Sequence, residues 1–127
     1  MKITNLGDQL QGLNLKAIAS ISATGLSSAI DLQDYEGEIL VAVDVANVSG
    51  TTPTLDFKLT EASTSGGSYT DVASGGGTQV TTVASFQTIS LNSDSMKQFV
   101  KLSYTLAGTD PVYLLSAKIY GMKKNPA

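Results

Sequence analysis

The sequence predicts an all-β protein: a single-domain antiparallel β-sandwich, jelly-roll-like, of eight or nine strands. Three observations predict it. Residues 54–72, T-L-D-F-K-L-T-E-A-S-T-S-G-G-S-Y-T-D-V, put Leu55, Phe57 and Leu59 on one face and Asp56, Lys58 and Thr60 on the other. They then turn through Ser65, Gly66, Gly67 and Ser68, where glycine supplies positive φ, and resume with β-formers from Tyr69: a hairpin. Further segments of period two recur along the chain between turn-forming residues, with no convincing long helix and no internal repeat. Finally, 127 residues without cysteine make one domain whose core must hold by packing, with no disulfide framework.

The elements follow in order. Residues 1–14 are polar with leucines at Leu6, Leu10 and Leu13; Gly7 and Gly12 weaken a helix there, so the expectation is an extended arm. Residues 15–23 alternate apolar and small polar side chains as a strand, turned by Thr24 and Gly25. A short strand over 26–32 runs into the turn formers Asp31, Asp34 and Gly37. Residues 38–48, E-I-L-V-A-V-D-V-A-N-V, are the longest β-run, with Ile39, Val41, Val43 and Val45 on one parity. Leu40 and Ala42 make the other parity apolar too in its first half, as in a central strand or one in an oligomer interface.

Residues 49–53 read as a loop ending in Pro53, and 73–77 (A-S-G-G-G) as a flexible loop. Strands are expected over 78–83 and 85–91, then a polar connection over 92–97 in which Asp94 caps a brief turn. Residues 99–106 alternate again, 107–111 (A-G-T-D-P) reverse the chain, and 112–122 close the fold with Tyr113, Leu115, Ala117 and Ile119 on one face. The organisation is an arm over 1–14, a sandwich over 15–122 and a polar tail over 123–127.

Composition narrows the chemistry. There is no histidine, cysteine, tryptophan or arginine, so the usual imidazole and thiol catalysts are missing and no enzyme activity is expected. A net charge of −3, with eight scattered lysines, argues against nucleic acid as a partner. No apolar run is long enough for a membrane helix, and the first residues carry no apolar signal core, so neither a membrane nor a secretory route is expected. Asp31, Asp34, Glu36 and Glu38 crowd one turn, but their spacing is not that of a calcium loop; the expectation is a solvated acidic loop or a partner contact, with no metal and no cofactor. G-G-G-T at 75–78 lacks the lysine and the helix of a phosphate loop.

Three blocks carry a resemblance: I-D-L-Q-D-Y-E-G-E-I-L-V at 30–41, L-D-F-K-L-T-E-A-S-T-S-G-G-S-Y-T-D-V at 55–72, and F-V-K-L-S-Y-T-L-A-G-T-D-P at 99–111. Together they resemble the small head decoration, or cement, proteins of tailed bacteriophages. Tyr69 stands where that hairpin often carries tryptophan, and Lys101 where arginine is frequent, so an aromatic and a charge are kept while bidentate reach is lost. The resemblance implies a jelly-roll subunit made in the host cytoplasm, bound to the outer surface of the head, stabilising joints between copies of the major capsid protein. It implies no catalytic residues.

Such a protein needs surface that becomes buried on the lattice, and many copies make modest contacts collectively strong. The candidates for a capsid or subunit interface are Leu6, Leu10 and Leu13 in the arm, and Phe99, Val112, Leu114 and Tyr120 in the last two strands. The strand residues would serve equally as a second core or as a homo-oligomer contact, and self-association is expected. The alternative function is a glycan-binding or tail- or receptor-associated sandwich module, which would gather aromatics and carboxylates on loops or one concave face.

Overall fold

β-Branched and aromatic residues at alternate positions build seven strands in the computed structural model, which describes residues 10–123. They are β1 (Leu10–Ile21), β2 (Gly25–Leu26), β3 (Ile30–Asp31), β4 (Tyr35–Ala62), β5 (Thr70–Gly76), β6 (Ser85–Asn92) and β7 (Phe99–Lys123). A single 3₁₀ turn at Ser93–Ser95 is the one helical element among the described residues.

Two of the strands do double duty. β4 and β7 pair antiparallel along their whole lengths, from Tyr35↔Lys123 through Asn47↔Tyr113 to Ala62↔Phe99. The ladder shifts register between Asn47 and Thr54, where both strands bend and pass together from one layer to the other. One layer is then β1, residues 112–123 of β7, residues 35–47 of β4, and β6. The other is β2 and β3, residues 99–107 of β7, residues 54–62 of β4, and β5. Counting each bent strand twice, and the two short strands as one, gives two four-stranded sheets: a jelly roll.

The bend corrects two expectations. Residues 49–53 and 107–111 look like a loop and a reversal, yet the chain continues across both. Gly50 (φ 125°) and Gly108 (φ 105°) adopt backbone conformations that side chains rarely tolerate. A Cβ at Gly50 would lie 2.9 Å from Pro111 Cα, and one at Gly108 2.5 Å from the Thr52 carbonyl oxygen. The two bends thus interlock backbone against backbone.

The core fills the space between the layers. Ile39, Val41, Val43 and Val45 face Tyr113, Leu115, Ala117 and Ile119 on one sheet, and Leu55, Phe57, Leu59, Val100 and Leu102 come from the other; all are buried. The hairpin between β4 and β5 forms as expected, with Phe57 only 3% exposed and Lys58 outside, paired to Asp71. Its turn differs: Gly66 and Gly67 are not among the positive-φ residues, and the Gly67 N–H donates to the Thr64 carbonyl instead.

Other expectations are also corrected. Residues 73–76 are strand, within β5, because Gly75 packs against Val72 and Leu59. Gly77 lies flat against the Phe57 ring, where a Cβ would fall 2.1 Å from Cε2. Residues 78–83 form no strand; only Val80 bridges to Leu55. The 3₁₀ turn is capped by Asn92, whose side chain accepts the Asp94 N–H, while Asp94 accepts the Gly37 N–H.

At the ends, residues 10–14 already belong to β1, pairing Leu10 with Met122 and Leu13 with Ile119, and Lys123 still pairs with Tyr35. Residues 1–9, with Leu6, and 124–127 lie outside the described residues.

Candidate functional site: the outer face of one sheet

Strand register fixes what the sheet of β1, β7, β4 and β6 presents outward. Ser90, Leu40, Tyr120 and Gly12 form one row across its four strands. Thr88, Ala42, Lys118 and Asn14 form the next, tied by a Lys118 Nζ to Asn14 Oδ1 hydrogen bond of 2.7 Å. Phe86, Asp44 and Ser116 follow, then Ala46, Leu114 and Ser20. The face is therefore apolar at one end, polar across its middle and mixed beyond.

The apolar end is a groove of about 580 Å³ lined chiefly by Leu10, Leu40, Ser90, Tyr120 and Met122, with Glu38 at its rim. Gly12 makes room for it: the Tyr120 ring lies over this residue, where a Cβ would come within 2.7 Å of the ring. Leu40 is 38% exposed although it sits in a central strand, and no charged side chain of its row shields it.

The structure brings Leu10 and Tyr120 together in this groove and separates the other sequence candidates. Leu13 turns inward, half-buried against the core and away from this groove. Val112 and Leu114 share the outward face with Tyr120, but Leu114 lies six residues away along β7, about 20 Å at strand rise. Phe99 belongs to the other sheet, between Asp31 and Ala62. Leu40, Met122 and Phe86 were missed as site residues. The signal for Leu40 was its apolar side chain on the parity opposite Ile39 and Val41; Phe86, 67% exposed, had none.

The other sheet has one end of its outer face covered by its own hairpin. Thr60 and Ala62, on the outward parity, are buried, with Gly67 of the hairpin turn beside Ala62. Lys101 Nζ stands 4.7 Å above the Tyr69 ring, whose hydroxyl donates to the Ser65 carbonyl. The two positions singled out by the family resemblance thus touch each other.

The acidic turn is used structurally: Asp31 Oδ1 accepts the Gln33 N–H at 2.8 Å and Gln98 Nε2 at 3.2 Å. Among the described residues no three acidic side chains converge. Two tyrosines have hydroxyl pKa values raised above the usual 10, Tyr35 by burial and secondarily by the Asp34 carboxylate, Tyr113 by burial. Both hydroxyls serve the core: Tyr35 donates to the Gln11 carbonyl, and Tyr113 to the Thr81 carbonyl at 2.7 Å. Among the described residues no helix is long and apolar enough to cross a membrane.

No known protein family and no curated protein matches the sequence. Among solved structures, the fold is similar to that of the infectious bursal disease virus VP2 subviral particle, with a TM-score of 0.54 at 10% identity over 90% of this chain and 32% of that one. This chain thus spans about a third of the VP2 chain. The SPBc2 prophage-derived protein YomS aligns over 90% of this chain and 93% of its own at 10% identity and a TM-score of 0.49. The xylan-binding module CBM15 aligns over 98% and 96% at 10% identity and a TM-score of 0.47. At such identities the likeness shows the fold alone: this is a jelly-roll β-sandwich module.

Proposed function

We propose that the protein is a non-catalytic bacteriophage head decoration protein that seats the outer face of the β1–β7–β4–β6 sheet on the outside of the capsid, across joints of the major capsid protein. The observation that carries the reading is the groove of Leu10, Leu40, Tyr120 and Met122, an apolar recess on a face that the described residues leave uncovered. The three sequence blocks that resemble head decoration proteins support it, as does the absence of imidazole and thiol from the entire sequence. An aromatic and an aliphatic anchor at the centre of a docking face suit a contact repeated over a lattice.

The test uses heads of the encoding phage, prepared without this protein. Wild type should co-sediment with them, and Leu40→Asp should lose co-sedimentation while keeping its melting temperature within a few degrees. Unchanged binding by Leu40→Asp would remove the groove from the contact. Failure of wild type to bind heads at all, with a positive glycan array, would replace the reading with the glycan-binding alternative. Of the eight aromatics, Tyr35, Phe57, Tyr104 and Tyr113 are buried, so Phe86 and Tyr120 are the ones that this outer face could offer to a sugar.

A further inference from the structure

An edge strand presents unpaired N–H and C=O groups, and proteins that stay monomeric blunt such edges with bulges, charges, proline or brevity. Three of the four sheet edges here are blunted. β1 has register shifts between Asn14 and Lys16 and between Lys16 and Ala19. β2 and β3 are two residues long each. β5 carries the Lys58–Asp71 ion pair at its border, and its pairing with β4 is irregular.

β6 has none of these devices. Its eight residues, S-F-Q-T-I-S-L-N, contain no charge, no proline and no glycine. Its ladder with β4 runs unbroken from Glu38↔Asn92 to Val45↔Ser85, and among the described residues no backbone group outside β4 bonds to its backbone. The segment that precedes it in the sequence meets it through the Gln87 side chain, whose Oε1 accepts the Thr78 N–H and whose Nε2 donates to the Thr78 carbonyl. At the strand's start Phe86 projects outward, 67% exposed.

We propose that β6 is a self-pairing edge: two copies of this chain join β6 to β6 antiparallel and make one continuous eight-stranded sheet. The occupant is a second copy because the strand is complementary to itself. A twofold axis through Thr88 sets Thr88 against Thr88, Phe86 against Ser90 and Gln87 against Ile89. Every pair then stays on one face of the sheet, with no like charges opposed. Phe86 of each copy comes beside Ser90 of the other, at the border of the groove that holds Leu40 and Tyr120. The two grooves then lie on one face about 24 Å apart, five strand spacings from β7 to β7.

The test is sedimentation equilibrium of the full chain over a concentration series reaching the millimolar range. Wild type should shift from the monomer mass of 13.2 kDa toward twice that value. Thr88→Lys and Thr88→Glu each oppose like charges on the axis and should weaken association at least about tenfold. Their equimolar mixture should recover it, which damage to the fold could not do. Wild type that remains monomeric throughout, single variants that associate like wild type, or a mixture that fails to recover would each overturn the proposal. A monomeric wild type whose head binding is lost on Thr88→Lys would assign the edge to a capsid strand instead.

Discussion

The contact between Phe57 and Gly77 makes a quantitative demand on stability. Phe57→Ala deletes a buried ring and should cost about 3–5 kcal/mol. Gly77 has an ordinary φ, so Gly77→Ala would by itself stabilise by about 0.4–1 kcal/mol through the unfolded chain. The methyl it adds would overlap the Phe57 ring, however, at 2.1 Å from Cε2, so the substitution should cost about 1–3 kcal/mol in the wild-type background. Once Phe57 is alanine the overlap is gone and the methyl enters the vacated space, so Gly77→Ala should become neutral or stabilising. The double variant is therefore expected about 1–3 kcal/mol more stable than the sum of the single changes. Urea unfolding of the four proteins, with m-values compared to check that the transitions remain alike, measures that difference. Additivity within about 0.5 kcal/mol would refute the packing of the ring on Gly77.

Two further outcomes are expected. Because burial raises the Tyr113 pKa in the folded protein, its contribution to stability is intact below pH 10 and is lost as pH rises from there toward the folded-state value; Tyr113→Phe should flatten that alkaline loss, measured as melting temperature against pH, and an unchanged slope would show that the hydroxyl is not held as described. Deleting residues 1–13 should lower the melting temperature by several degrees, since it removes Leu13 from the core and the Gln11 carbonyl from Tyr35; a truncation melting like wild type would mean that the start of β1 adds nothing.

The alternation at Leu55, Phe57 and Leu59, and at Tyr113, Leu115, Ala117 and Ile119, was legible because period two assigns a face without knowledge of the partner strand. The crossings were not. Gly50 with Pro53, and Gly108 with Pro111, carry the same residues as a reversal, and only the interlock of the two bends keeps the ladder continuous. Residues 75–77 misled for a related reason: glycine signals flexibility in a sequence, but here it signals that Val72 and Phe57 need the space. At the site, period two could place Tyr120 and Leu114 on one outward face. It could not place Leu40 beside the first and not the second, since that depends on register, nor assign Phe99 to the opposite sheet.

The two outer faces differ in a way that bears on what each is for. One sheet is covered at one end by its own hairpin, with Ala62 buried on the outward parity, Gly67 beside it and Lys101 over Tyr69. The hairpin closes one end of that face and leaves Leu26, 51% exposed in β2, at its margin. Among the described residues the opposite sheet has no such cover and keeps Leu40, Tyr120 and Phe86 outward, although a single polar side chain at Leu40 would cost its central strand little. Exposed apolar groups on a central strand and on an unblunted edge favour aggregation, so their coincidence on one sheet is economical only if contact with another molecule covers them. The proposed capsid contact and the proposed self-pairing edge both use that sheet, and neither needs the face that the hairpin already occupies.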